Sequence, residues 1–337
     1  MPEQLVAIVP VHDGGDDIRT CVAALRRADL AGDRIIVVDD ASTDGAARQA
    51  ATEHGCRYLW LPGKPSRAGG TPGPGGPARA RNRGAASTDA DILLFVDADV
   101  EVHEQAARRF RELFEERAEL SAAFGSYDDR PSDSGWISRY KNLLHHRMHQ
   151  GGPRPATTFW SGCGAVRSAV FARHGGFDES YRGATIEDIE FGMRLHAANE
   201  PIEVRPEILC THHKRWTLRG WLRTDILGRA LPWSRLLVAR ASELPDTLNL
   251  STHERLTAVI VCCMPPLLLS LVSGVLPVMA TGLLGAAFLG FLWLQRDLLV
   301  FFCRHGGVRF GIAAGAMHIA YYLYASATFA LVRLRLV

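Results

Sequence analysis

Apolar residues in the first hundred positions follow two alternating rhythms. Short β-branched runs at 6–11, 34–39, 57–61 and 91–96 predict strands. Between them, 16–28, 44–54 and 78–86 carry apolar residues at helical spacing and predict helices. Ile35-Ile36-Val37-Val38 is apolar without interruption, as a strand covered on both faces of a parallel sheet must be. Repeated strand–helix–strand units with right-handed crossovers build such a sheet, and its ligands lie beyond the carboxyl ends of the strands. Pro10, Asp39, Asp40 and Asp97 all fall there.

The rhythm changes twice. Residues 63–77 are rich in Gly, Pro, Ser and Arg and predict a loop, either a surface insertion or a lid over a ligand. From 256 to 294 the chain is uncharged for 39 residues, about twice what one bilayer crossing needs. That length predicts a helical hairpin turning near Ser273, Gly274 and Pro277, with a third crossing at 310–332. A soluble α/β domain at 1–250 is therefore expected, followed by two or three membrane helices at 251–337. Residues 136–150 place Trp136, Ile137, Tyr140, Leu143, Leu144 and Met148 mostly on one helical face, which suits either the membrane interface or core packing.

Composition adds mainly exclusions. Basic residues number 38 and acidic ones 36, so no excess charge points to nucleic acid. Seven cysteines without a C-x-x-C pair suggest neither a disulfide framework nor a zinc site, and a reducing compartment is expected. His145 and His149 lack an accompanying glutamate and are read as non-metal residues. The first strand begins too early for a signal peptide, which places the soluble domain in the cytoplasm and makes the protein a multi-pass membrane protein. Two crossings then leave Arg296, Arg304 and Arg309 on the cytoplasmic side.

The chemistry sits at the strand ends. Phe95-Val96-Asp97-Ala98-Asp99 closes an apolar strand with two carboxylates one residue apart. Such oxygen ligands suit Mg2+ or Mn2+, which keeps waters and bridges phosphate oxygens; a solvated turn is the competing reading. A second acidic end, Val38-Asp39-Asp40-Ala41-Ser42-Thr43-Asp44-Gly45, offers acceptors for a base edge or ribose, or caps the helix that follows. Two acidic strand ends in one sheet favour a ligand site over two coincidental turns.

Together with Pro10-Val11-His12, Ala80-Arg81-Asn82-Arg83-Gly84, Gly175-Gly176-Phe177-Asp178-Glu179 and Glu187-Asp188-Ile189-Glu190, these segments resemble family 2 glycosyltransferases over about residues 4–235. The resemblance implies an α/β, GT-A nucleotide-sugar-binding fold, Rossmann-like with a mainly parallel sheet. It implies that Pro10, His12, Asp40, Arg79, Arg81, Asp97 and Arg215 border a nucleotide-sugar donor and that Asp97 and Asp99 hold the metal. Trp160, Gly162, Glu187 and Trp216 would face the acceptor, and Asp188 would be the general base of an inverting displacement. His212-His213-Lys214-Arg215-Trp216 resembles the Q-x-x-R-W element of processive members with His212 in place of Gln, which argues against polymerisation.

A cell-envelope glycan or lipid-linked acceptor follows from the membrane segment. Two other classes fit less well. A membrane-bound nucleotidyltransferase would need a basic residue in the loop after the first strand, where Asp13-Gly14-Gly15-Asp16-Asp17 has none. A non-catalytic membrane scaffold would have no need of Asp97, Asp99 and Asp188 together.

Overall fold

The computed structural model describes residues 3–65, 73–152, 154–181, 183, 185–239 and 251–337. Two compact units form: residues 1–134 with 141–215, and residues 135–140 with 216–337. The expected boundary near 250 and residues 66–72 of the predicted loop at 63–77 lie outside the described residues.

In the first unit the predicted strands and helices form in order: β1 (Leu5–Val11), α1 (Asp17–Arg27), β2 (Ile35–Asp40), α2 (Ala46–Glu53), β3 (Arg57–Leu61), α3 (Pro77–Ala85) and β4 (Ile92–Val96). Then come β5 (Val100–Val102), α4 (Ala106–Glu116), β6 (Ala122–Tyr127), α5 (Trp136–Gly151), β7 (Cys163–Arg167), α6 (Ser168–Arg173), α7 (Glu187–Ala197) and β8 (Ile202–His212). One sheet of eight strands results, in the order β3-β2-β1-β4-β7-β6-β8-β5. From β3 to β4 the pairings are parallel, whereas β7 runs antiparallel to both β4 and β6, so the sheet as a whole is mixed.

Strand alternation explains why both faces are filled. Leu5, Ala7 and Val9 of β1 pack into the cluster that holds α1, α2 and α4, while Val6 and Ile8 join the opposite cluster with α3, α6 and α7. Close approach of α3 depends on Gly84, where a Cβ would stand 2.5 Å from the Ile8 side chain.

The second unit contains α8 (Leu218–Arg223), a π-helical stretch Thr224–Ala230, α9 (Leu231–Ala239), α10 (Thr252–Val272), α11 (Pro277–Leu294) and α12 (Arg296–Arg333). The predicted hairpin turn is present. Ser273 ends α10, Gly274 (φ 74°) and Leu276 (φ 50°) take left-handed conformations, and Pro277 opens α11. Proline suits that first helical position because its missing N–H is not needed there. Both helices are long and apolar enough to cross a membrane, and only 11% of each one's most apolar window is buried.

The residues read as a third crossing form the latter part of α12, beyond a break at Gly307 (φ 78°, ψ 169°), but among the described residues only α10 and α11 are long and apolar enough to cross a membrane. It is less apolar than α10 and α11 because it carries buried His318 and Tyr322. His318 meets the Tyr140 hydroxyl at 3.0 Å, and the Tyr322 hydroxyl accepts from Gln295 at 3.0 Å. The apolar face read at 136–150 divides: Tyr140 and Leu143 are buried, and Trp136 and Met148 are exposed.

Candidate active site at the strand ends

At the end of β2 both carboxylates are already committed. Asp39 accepts from the Ser42 N–H at 2.8 Å and from the Tyr58 hydroxyl at 2.6 Å. Asp40, buried, accepts from the Gly76 N–H at 2.7 Å and pairs with Arg79 at 3.1 Å, while Arg79 also donates to the Pro62 carbonyl. Pro10 is buried in β1 opposite Val38, and His12 is exposed with Nδ1 3.0 Å from the Asp40 carbonyl. Ser42 and Thr43 do not cap α2. Ser42 instead accepts from the Asp13 N–H and Thr43 donates to the Asp13 carboxylate, tying the loop after β1 to the loop after β2.

Asp97 follows β4 directly, and Asp99 precedes β5. The Asp97 N–H donates to the Gly162 carbonyl at 3.2 Å, which fixes the turn against the segment leading into β7. Asp99 lies 3.5 Å from His212 Nε2 and 3.8 Å from Lys214 Nζ. Burial works against its ionisation, but the hydrogen bond and charge of His212, aided by Lys214, outweigh that and hold its carboxyl well below the usual carboxylate range. Tyr127 stacks on the His212 ring with centroids 4.5 Å apart and so fixes its orientation.

Arg81 is the hub. Its buried guanidinium reaches Asp97 at 2.6 Å and Glu187 at 2.8 Å, so it joins the end of β4 to the start of α7. Both Glu187 oxygens are occupied, since Thr185 donates its N–H and hydroxyl to the other one at 3.1 Å. Asp188, half-buried beside it, takes two donors from Ser161 on one oxygen and the Ile189 N–H on the other. Its pKa is pushed up to about 6, first by burial and then by the Glu187 charge, while the Ser161 N–H and Arg81 pull the other way.

The segment around Ser161 is shaped by small residues. A Cβ at Gly162 would stand 2.5 Å from the Trp160 ring. Half-buried Trp160 meets Tyr127 edge-on at 4.8 Å and His149 at 5.0 Å. Opposite, Asn82 clamps Phe177, donating to its carbonyl at 2.8 Å and accepting from its N–H at 2.9 Å.

Of the residues singled out from sequence, Asp97, Arg81, Glu187, Asp188 and Gly162 are thus linked through hydrogen bonds and adjacent backbone at the strand ends, while Asp99 is held separately by His212 and Lys214. Asp40 and Arg79 form a separate buried pair. Arg215 points outward, 86% exposed, with Asp133 at 3.9 Å, and Trp216 is buried in the second unit with its backbone N–H donating to the Ser138 hydroxyl. Ser161 and the His212–Asp99 contact were missed. His212 was visible only as a departure from a motif, and Ser161 had no signal of its own.

Among the described residues, no group of three or more His, Cys, Asp or Glu side chains is placed to hold a metal ion. The Asp97 and Asp99 carboxylates still fit Mg2+ or Mn2+, which needs only one or two protein carboxylates when waters and phosphate oxygens complete its shell. A separate cavity of about 560 Å3, bordered by Arg27, Glu101, His103, Arg109 and Glu207, is lined by none of Asp97, Asp99 or Asp188.

A sequence model of glycosyl transferase family 2 matches residues 6–175, half of the chain. The protein belongs to that family. The pre-mycofactocin glycosyltransferase of Mycobacterium tuberculosis is 25% identical over 237 residues, 65% of this chain and 44% of that protein. This chain thus spans less than half the length of that relative. Among solved structures, the mannosyltransferase PcManGT from Pyrobaculum calidifontis, in complex with GDP-Man and Mn2+, superposes with a TM-score of 0.57 at 17% identity, covering 98% of this chain and 88% of the other. Residues 1–349 of S. aureus TarS, in complex with UDP-GlcNAc, give 0.52 at 16% identity, covering 98% and 92%. At such identities the likeness is one of fold, and the fold of this family member is the expected GT-A type.

Proposed function

We propose that the protein is an inverting glycosyltransferase that moves a sugar from a nucleotide-sugar donor to a membrane-associated acceptor, lipid-linked and destined for a cell-envelope glycan. The observation that carries this reading is the half-buried Asp188 carboxylate, fixed by Ser161 and connected through Glu187 and Arg81 to Asp97. Family membership and the donors bound by proteins of like fold support it.

In a single displacement the acceptor hydroxyl oxygen bonds to the anomeric carbon as the bond from that carbon to the phosphate oxygen breaks. The nucleoside diphosphate leaves with the electron pair, and the acceptor proton passes to Asp188. A carboxylate with pKa about 6 is mostly ionised at neutral pH yet basic enough to take that proton. Asp97 and Asp99 would hold Mg2+ or Mn2+, whose charge would neutralise the diphosphate. Glu187 is spent on Arg81 and Thr185, so its role is to support Asp188. Trp160 offers a ring face for a sugar, and Gly162 lets that ring lie close against the backbone. Near Asp40 and Arg79 the donor base meets a neutralised pair.

Helices α10 and α11 support membrane residence, with the catalytic unit at the cytoplasmic face. The test is nucleotide release by detergent-solubilised protein from UDP-, GDP- and TDP-sugars, with and without Mn2+, in the presence of lipid acceptors. Failure of every donor, with the protein folded, would overturn the proposal.

A further inference from the structure

In the second unit, residues 216–239 expose two kinds of side chain side by side. Leu218, Leu227 and Val238 are exposed apolar groups, and so is Trp136 in the same unit. Arg219, Arg223 and Arg235 are exposed between them, and Arg219, Arg223 and Leu227 follow one another at four-residue steps. Asp225 is the sole acid in this stretch, and it is buried. It accepts from the Trp221 indole at 2.8 Å and the Tyr324 hydroxyl at 2.8 Å and pairs with Arg229 at 3.3 Å. No negative charge is therefore left on the surface of this stretch to balance its arginines.

Water favours the arginines over exposed apolar groups such as Leu218 and Leu227, and hydrocarbon does the reverse. A bilayer surface satisfies both, with leucine side chains at the acyl boundary and guanidinium groups among phosphates. The Asp225–Tyr324 bond ties this stretch to α12, so it belongs to the same unit as the two candidate spans.

We infer that α8 to α9 forms a belt that binds anionic phospholipid headgroups through Arg219, Arg223 and Arg235, with Leu218 and Leu227 dipping into the bilayer. The inference rests on the membrane reading of α10 and α11. It goes beyond that reading in assigning a headgroup charge.

The full chain is reconstituted in nanodiscs of phosphatidylcholine alone or with phosphatidylglycerol, and amide hydrogen exchange is compared for 218–239 and for α10 and α11. Exchange over 218–239 should be on the order of tenfold slower in the anionic discs, and the difference should vanish in 1 M salt. The combined variant Arg219→Gln, Arg223→Gln, Arg235→Gln should lose that difference while α10 and α11 stay protected. Equal exchange of 218–239 in both discs, with α10 and α11 protected, overturns the headgroup assignment alone. Equal slowing by inorganic phosphate in neutral discs also overturns it, in favour of a site for free phosphate. A chain that does not enter the discs overturns the membrane reading as well.

Discussion

Ser161 donates both its backbone N–H and its hydroxyl to a single oxygen of Asp188, at 3.0 and 3.1 Å. A carboxylate held at two points cannot swing away from an acceptor hydroxyl. Asp188→Asn keeps the size and removes the proton acceptor, so turnover should fall by roughly 10² to 10⁴ with donor affinity nearly unchanged. Calorimetry for donor binding and NMR of the product separate the roles. Retained anomeric configuration, or near-normal turnover of the variant, removes Asp188 from the mechanism.

The same residue sets the pH dependence. Its folded-state pKa is raised to about 6, and the ionised form is the active base, so kcat should be low in acid and rise through pH 6 to a plateau. Ser161→Ala removes a donor that favours the ionised form, so the limb should move to higher pH. A wild-type limb centred at the ordinary carboxylate value would contradict the environment described for Asp188.

Asp99→Ala should abolish turnover and weaken metal-dependent donor binding together, in contrast to Asp188→Asn. Titrating Mn2+ against donor affinity reads the difference. Full activity of the variant in chelator-treated buffer would rule out a role for the carboxylate pair in metal binding.

Arg81→Gln leaves the buried Glu187 carboxylate without its counter-charge. Breaking a buried pair from one side costs roughly 3–5 kcal/mol, so the variant should denature at markedly lower denaturant concentration. Double replacement, Arg81→Gln with Glu187→Gln, should recover part of the loss. Unchanged stability of the single variant would mean that Arg81 is not the structural hub.

The full-length chain should stay in membranes through a carbonate wash because α10 and α11 expose most of their apolar length. A chain ending at residue 239 should be released, or bind only peripherally. Release of the full-length protein would contradict the reading of these helices as spans.

Strands β1, β2 and β4 were legible because each is buried on both faces, so their apolar runs stand out from the helices between them, whereas β3, at the sheet edge with Arg57 and Trp60 exposed, was legible only from its short run Tyr58-Leu59-Trp60-Leu61. The acidic strand ends followed from the same rhythm. Strands β6 and β7 were not legible: β6 reads Ala-Ala-Phe-Gly-Ser-Tyr and β7 Cys-Gly-Ala-Val-Arg, in which small residues dilute the β-branched signal. That is why the sheet's antiparallel part went unseen.

Asp97, Asp99 and Asp188 were singled out through motif, but their bonding could not be. Nothing local in the chain says that Arg81 turns to two carboxylates, because its partners lie 16 and 106 residues away. Polar pairing of that range is decided by the crossovers of the fold, not by neighbours in sequence.

The hydrogen bond from the Asp97 N–H to the Gly162 carbonyl has a consequence for how such a protein can diverge. The turn after β4 and the segment bearing Ser161 are separated by more than sixty positions, yet they share one backbone bond. An inserted or deleted residue in either would shift the other, and with it the oxygen that holds Asp188. These two can therefore change length only as a pair.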